Sequence, residues 1–219
     1  MKIAIIGTGN IGGALTRRLT QLGLEVTIAN SRGPESLRDL AAETGAIPCT
    51  VREVVRGAEI IVVTIPEKNI PSLPADLFAQ VPEDTVVIDT GNYYPRQRDG
   101  KITEIEEGVP ESRWVEQQLG RAVVKVFNNI YAKHLLERGL PAGAPGRFAL
   151  PVAGDRASAK EKVMQLVEKL GFDAVDAGGL DESWRQQPGT PCYGADFDAE
   201  GLREALGAAG PNRTADWRA

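Results

Sequence analysis

Histidine and cysteine are the scarcest chemistry-bearing residues of this 219-residue chain, with one of the first and two of the second. Cys49 and Cys192 lie far apart and have no metal-type spacing, so they read as free thiols of a reducing compartment. No HExxH, GxSxG or CxxC stretch occurs, which removes zinc-protease, nucleophile-elbow and dithiol chemistry. Lys and Arg number 25 against 30 Asp and Glu, interspersed to a net charge of −5, and no basic stripe suits a nucleic acid. No apolar run reaches membrane-spanning length, and the first residues read as a strand rather than a signal segment. The expected setting is soluble and cytoplasmic, without a membrane or a nucleic-acid partner.

Glycine, by contrast, is plentiful, with 24 residues, and its placement near the start organises the chain. An apolar run, Ile3 to Ile6, stops at Gly7, and the spacing Gly7-x-Gly9-x-x-Gly12 opens a stretch with helical periodicity. Ile11, Leu15, Leu19 and Leu22 form one apolar stripe, Gly23 ends it, and a second strand follows from Val26 to Ala29. Strand, glycine turn, helix, strand is the context in which this spacing predicts a dinucleotide site. Gly7 permits the sharp exit from the strand, Gly9 lets a diphosphate reach the backbone, and Gly12 lets the helix lie close to the sheet. Free N–H groups and the helix dipole favour the anion there.

The end of the second strand selects the nucleotide. An NAD-preferring site places Asp or Glu about 20 residues past the glycines, for the ribose hydroxyls. Here the residues are Asn30, Ser31 and Arg32. No carboxylate repels a 2′-phosphate, Ser31 can donate a hydrogen bond, and the Arg32 guanidinium can pair with the phosphate. The expected cofactor is therefore NADP(H).

Further strands are expected at Ala46–Cys49, Ile60–Ile65, Val86–Asp89, Ala122–Phe127, Phe148–Val152 and Asp173–Asp176. The implied fold class is α/β, a Rossmann-like, doubly wound, mostly parallel sheet of about eight strands. Residues 1–178 form the nucleotide-binding domain, and residues 179–219 form a C-terminal extension packed on it or at a dimer interface. Capping boxes are expected at Thr50/Glu53 and Ser158/Glu161. Ligands of such sheets sit beyond the carboxyl ends of the strands. That makes Thr64-Ile65-Pro66 a candidate ribose wall, and puts Gly91, Asn92, Asn128 and Asn129 on the same edge. The asparagines either bind a nicotinamide amide or a second ligand, or serve loop turns and helix caps.

Proton-moving residues are few. His134, within the expected helix Tyr131–Glu137, reads as surface or packing, and Lys125 as a strand lysine at a sheet edge, with orientation toward the site as its alternative. The scarcity suits hydride transfer between two redox cofactors, which moves no proton to or from a substrate oxygen. One alternative is an imine or ketone reductase of the pyrroline-carboxylate type, with His134, Lys125 or a tyrosine as donor. Another is a catalytically silent NADPH-binding sensor.

The segments MKIAIIGTGNIGGAL, ANSRGPESL, VVTIPEKNI, VVIDTGNYYP, VVKVFNNI and LPVAGDRASAKEKVMQLVEKLGFDAVDAG resemble the coenzyme F420-dependent NADP oxidoreductase family. The same pattern occurs in the cytosolic reductase domain of the STEAP metalloreductases. The resemblance covers roughly residues 1–178. It implies an NADPH-binding Rossmann domain, a homodimer, and hydride transfer to a flavin such as FMN or FAD or to deazaflavin coenzyme F420; the functional reading adds a small electron-poor acceptor. Gly7, Thr8, Gly9, Asn10, Ile11 and Gly12 match the family's pyrophosphate turn, Ser31 and Arg32 its 2′-phosphate pair, and Thr64, Ile65 and Pro66 its ribose wall. The segment Trp184–Tyr193 departs from the family's C-terminal part. There Trp184 and Tyr193, with Tyr93, are expected either to line an aromatic pocket near the nicotinamide or, for Trp184, to anchor a core or interface.

Overall fold

Apolar runs of four to six residues with no polar alternation are strands covered on both faces, and the computed structural model, which describes residues 1–219, arranges them so. In chain order the elements are β1 (Lys2–Ile6), α1 (Asn10–Gln21), β2 (Glu25–Ala29), α2 (Arg38–Thr44), β3 (Ile47–Pro48), α3 (Val51–Val54), β4 (Ile60–Val63) and β5 (Val86–Asp89). They continue with α4 (Thr103–Glu106), α5 (Glu111–Leu119), β6 (Val123–Lys125), α6 (Ala132–Glu137), β7 (Ala149–Val152), α7 (Ala157–Lys169), β8 (Asp173–Asp176) and α8 (Ala199–Ala208). Six strands form one parallel sheet in the order β3-β2-β1-β4-β5-β6. The reversal of order beside β1 is the switch point of a doubly wound sheet.

Successive strand residues feed opposite faces. Ile3, Ile5, Ile28, Val62 and Ile88 share one core with Leu15 and Leu19 of α1 and Val163 and Leu166 of α7. Ala4, Ile6, Ile61, Val63 and Val87 share the other with Val54 of α3 and Trp114 and Val115 of α5.

The strand count needs one correction. Eight strands are present, but β7 and β8 pair as a separate parallel ribbon. They meet the main sheet only at an antiparallel bridge, with Lys125 N–H to Ala153 O at 2.8 Å and Ala153 N–H to Lys125 O at 3.1 Å. Proline explains the break. The N–H groups of Ala149 and Ala153 are taken by Phe197 O and Lys125 O, away from β8. Between them stands Pro151, which has no N–H to extend a ladder on that side.

Local signals fared unevenly. The Thr50/Glu53 capping box forms and starts α3. The expected box at Ser158/Glu161 does not: α7 starts at Ala157, so Ser158 is already inside the helix, and Arg156 caps it without a side-chain bond. The C-terminal segment folds back on the sheet. Leu180 enters the second core, while Cys192, Leu202, Ala205 and Leu206 bury a small third one against Ala149 and Val175. No helix is long and apolar enough to cross a membrane.

Candidate functional site

The glycine loop closes onto the end of β4. Gly7 has φ 103°, a left-handed conformation, and a Cβ there would overlap Thr64 O. A Cβ on Gly12 would overlap Gly7 O, so α1 can lie this close to the strand only with glycine at that position. Gly9 is different: a Cβ there would meet nothing within 4 Å. The first bond of the α1 ladder runs from Gly13 N–H to Gly9 O (2.8 Å). The N–H groups of Asn10, Ile11 and Gly12 precede it and remain available to an anion.

A cleft of about 640 Å³ opens over this loop. Gly7, Thr8, Gly9, Ser31, Arg32, Thr64, Ile65 and Pro66 all line it, together with Val51, Asn69 and Leu73. Among its lining residues Arg32 is the only ionisable side chain, and no carboxylate is present. The turn after β2 is held by Asn30, whose Oδ1 accepts from Arg32 N–H (2.9 Å) and whose Nδ2 donates to Ser36 Oγ (2.9 Å). Ser31 and Arg32 are exposed beyond it. A larger groove, about 750 Å³, lies over α1 between α2 and α6 and is lined by Asn10. It shares Thr8, Gly9 and Arg32 with the cleft, and its charges are mixed, with Arg17, Lys133, Asp39, Glu43 and Glu137 beside Arg32; Arg17 is already paired with Glu43. The cleft at the strand ends is the better ligand site, because it alone lies at the switch point against Gly7 and Thr64 and no carboxylate lines it.

Ile11 and Gly12 do not line the cleft; Gly12 packs the helix. Gly91, Asn92 and Asn128 lie farther along the same edge, past β5 and β6. Asn92 Nδ2 donates to Asn128 O (2.9 Å), and Asn128 Nδ2 donates to Asn92 Oδ1 (3.1 Å) and Gln186 O (2.6 Å). Gln186 Nε2 donates in turn to Asn128 Oδ1 (2.9 Å). These amides are therefore spent on one another and on the C-terminal segment. Phe127, just before Asn128, is the one non-glycine residue with positive φ, at 64°. That turn carries Asn128 into the buried network.

Sequence reasoning missed the charges behind this edge. Lys125 is not a solvated edge lysine: it is fully buried, and its Nζ donates to Asp89 Oδ2 at 3.0 Å. Burial opposes its charge, but Asp89, then Glu111 and Glu67, hold its pKa above the ordinary lysine value. Glu67 is buried with neither carboxylate oxygen bonded, and burial followed by Asp89 pushes its pKa well above the usual range. Glu111 is pushed up by burial and opposed by Arg213, which bonds it at 2.5 Å. One signal was available: Asp89 and Lys125 close two otherwise apolar strands, and they prove to be register partners.

The aromatic residues divide. Tyr93 is buried, with its hydroxyl accepting from Ile102 N–H (2.9 Å). Tyr193 bonds Tyr94 hydroxyl to hydroxyl, and both rings pack on Trp217. Trp184 is covered by Arg185. His134 bonds Asp196 on the surface (3.0 Å). None of them lines the cleft.

The sheet order defines a class, the Rossmann-type doubly wound fold, and the family and structures it matches include nicotinamide-dependent oxidoreductases. Residues 2–93 match the family described as NADP oxidoreductase, coenzyme F420-dependent. YjhV of Escherichia coli K-12 is 48% identical over 67 residues, which are 31% of this chain and 49% of YjhV. The oxidoreductase YfjR of Bacillus subtilis 168 is 34% identical over 69 residues, 32% of this chain and 24% of YfjR. The matches thus span about half and a quarter of these relatives. Among solved structures, protein SMa0349 of Sinorhizobium meliloti superposes with a TM-score of 0.75 at 29% identity, covering 90% of this chain and 95% of that one. A candidate F420-dependent NADP reductase of Arthrobacter sp. FB24 gives 0.67 at 25% identity, covering 82% and 86%.

Proposed function

We propose that this chain binds NADP(H) in the cleft over the glycine loop and passes hydride between it and a flavin, a deazaflavin or a small electron-poor acceptor. The observation that carries the reading is the lining of the cleft: one exposed arginine and no carboxylate, beside a helix N-terminus with unspent N–H groups. A dinucleotide diphosphate fits there, because the space a Gly9 side chain would fill is open. Ser31 and Arg32 read the 2′-phosphate, Thr64, Ile65 and Pro66 back the riboses, and Gly91, Asn92 and Asn128 form the nicotinamide end.

When bound, NADPH supplies the hydride. The chain's own work is to fix the anionic ends, orient the ring and exclude water from its inner face. The acceptor remains a class, and no side chain is assigned to it. A homodimer goes with the family resemblance and is read by light scattering.

Arg32→Asp tests the nucleotide choice. The NADPH dissociation constant is expected to rise about tenfold or more, since a charge-assisted pair becomes a repulsion. NADH binding and the melting temperature should hardly move, because Arg32 is exposed and makes no side-chain bond within the chain. An unchanged NADPH constant in calorimetry removes the assignment. NADPH oxidation against FMN, FAD, coenzyme F420 and a panel of imines then identifies the acceptor.

A further inference from the structure

Lys125 and Asp89 converge on one peptide. Lys125 Nζ donates to Gly91 O at 2.5 Å as well as to Asp89, and Asp89 Oδ1 accepts from Gly91 N–H at 2.8 Å. Ser112 of α5 donates to Asp89 Oδ2 (2.7 Å), which completes the carboxylate's bonds. Glu67 closes the third side: a Cβ on Gly91 would lie 2.5 Å from Glu67 Oε1 and 3.0 Å from Asp89 Oδ1. Both polar groups of Gly91 are thus gripped by a single buried ion pair. A pair this deep is weak evidence for stability, since well-packed apolar residues serve a core as well. Its hydrogen bonds point instead to a demand for placement.

What is placed follows from peptide geometry. The Gly91 carbonyl and the Asn92 N–H belong to the same planar trans unit, so they point in opposite directions. Holding the carbonyl on Lys125 turns the Asn92 N–H away from the buried pair. That N–H has no acceptor anywhere in the chain, whereas the Asn92 side chain and carbonyl are both taken, by Asn128 and Arg98. A carbonyl bonded to an ammonium also polarises its peptide and strengthens the N–H as a donor. Val63 of β4 pairs with Asp89 of β5, which sets Gly91 and Asn92 beside the Ile65–Glu67 segment where the cleft ends.

We infer that the backbone N–H of Asn92, rather than its side chain, is the donor to the carboxamide oxygen of the nicotinamide, and that Lys125 and Asp89 are its positioning residues. The inference rests on the cofactor reading above. Cations or further ligands are not needed to explain the cluster: its carboxylates form no group able to hold a metal ion.

The test separates the two ends of the nucleotide with two probes, NADPH and 2′,5′-ADP, the second lacking the nicotinamide. Lys125→Met alone strands a buried carboxylate, so the charge-free pair Asp89→Leu/Lys125→Met is used, checked for folding by circular dichroism. Asn92→Pro is the second variant, since it removes the N–H and leaves the ion pair intact. In both, 2′,5′-ADP should bind within about twofold of the unsubstituted chain. NADPH should bind about fivefold more weakly, the worth of one hydrogen bond. The emission of bound NADPH should also move toward that of NADPH free in water.

Unchanged NADPH affinity and emission in Asn92→Pro overturn the inference. So does an equal loss of both probes in a folded double variant, which would mark a structural role only. An unsubstituted chain that binds neither probe removes the cofactor reading itself, a result distinct from either of these.

Discussion

At β1 the ligand edge consists of backbone alone: glycines let the loop close on Thr64, and the N–H groups of Asn10, Ile11 and Gly12 face outward with no buried charge behind them. Two strands along the same edge, at β5, the backbone is held from behind by Lys125, Asp89 and Glu67, all buried. The difference follows from what comes next in each chain segment. A helix begins at Asn10, and its first turn supplies aligned free donors and a favourable dipole without help. No α-helix follows β5 directly; the chain runs through Gly91-Asn92 into a single wide π-helical turn at Pro95–Asp99. A lone peptide there has no neighbours to orient it, and side chains must do so at the cost of their own desolvation.

The largest expected effect comes from breaking the second arrangement. Lys125→Met leaves Asp89 as an uncompensated buried charge, and a loss of about 3–5 kcal/mol in stability is expected from urea unfolding. The charge-free double variant should recover much of it, because no charge is then left alone. If the single variant is as stable as the double one, water reaches the ion pair and the buried-charge reading fails.

Next in size is a contrast within the glycine loop. Gly12→Ala drives a methyl into Gly7 O, where both partners are backbone and neither can step aside. A cost of about 2–3 kcal/mol is expected, with loss of NADPH binding. Gly9→Ala meets no atom of the chain, so stability should change by no more than about 0.5 kcal/mol. Its NADPH constant should nevertheless rise, because the methyl occupies the space assigned to the diphosphate. Equal melting losses for the two variants would erase the distinction between a packing glycine and a ligand glycine.

The two regions also differ in how far the sequence announced them. The β1 loop was legible because its signals are local: glycine spacing, the stripe Ile11-Leu15-Leu19, and Ser31-Arg32 in place of an acid. The mostly parallel sheet was expected from the strand–helix alternation, and the ends of β5 and β8 fell where the sequence placed them. The β5–β6 edge was not legible, since Asp89 and Lys125 become neighbours only through strand register. Lys125 does lie on the outermost strand of the six, but the bridge to Ala153 and the segment after Gly179 cover it, which turned a correct topological guess into a wrong burial. Asn92 and Asn128 were placed on the right edge, yet their side-chain partner Gln186 is 58 residues from Asn128 and carries no spacing signal. Helix α5 escaped notice because Trp114, Val115 and Leu119 are too few to show a period among charged residues.

Glu67→Gln is the mildest change in acid solution and the one that sharpens the contrast by pH. Glu67 faces Asp89 from β5, Lys125 from β6, Glu111 from α5 and Asp99 from the turn, so only Lys125 among them favours its charge. In the folded chain its carboxyl therefore keeps its proton to a higher pH than in the unfolded chain, where the ordinary value is 4.5. The stability that goes with the protonated carboxyl is fully present below about pH 4.5 and is lost as pH rises through the raised folded value. Glutamine has the same shape and no proton to lose. Near pH 4 the variant should match the unsubstituted chain within about 0.5 kcal/mol. From there it should gain on it, by no more than about 1.4 kcal/mol per pH unit, the slope for one proton. Urea unfolding at pH 4, 5, 6 and 7 measures the gap. A gap that closes with rising pH would mean a charged Glu67 stabilised by Lys125, and the lysine would then serve the carboxylates rather than the Gly91 peptide.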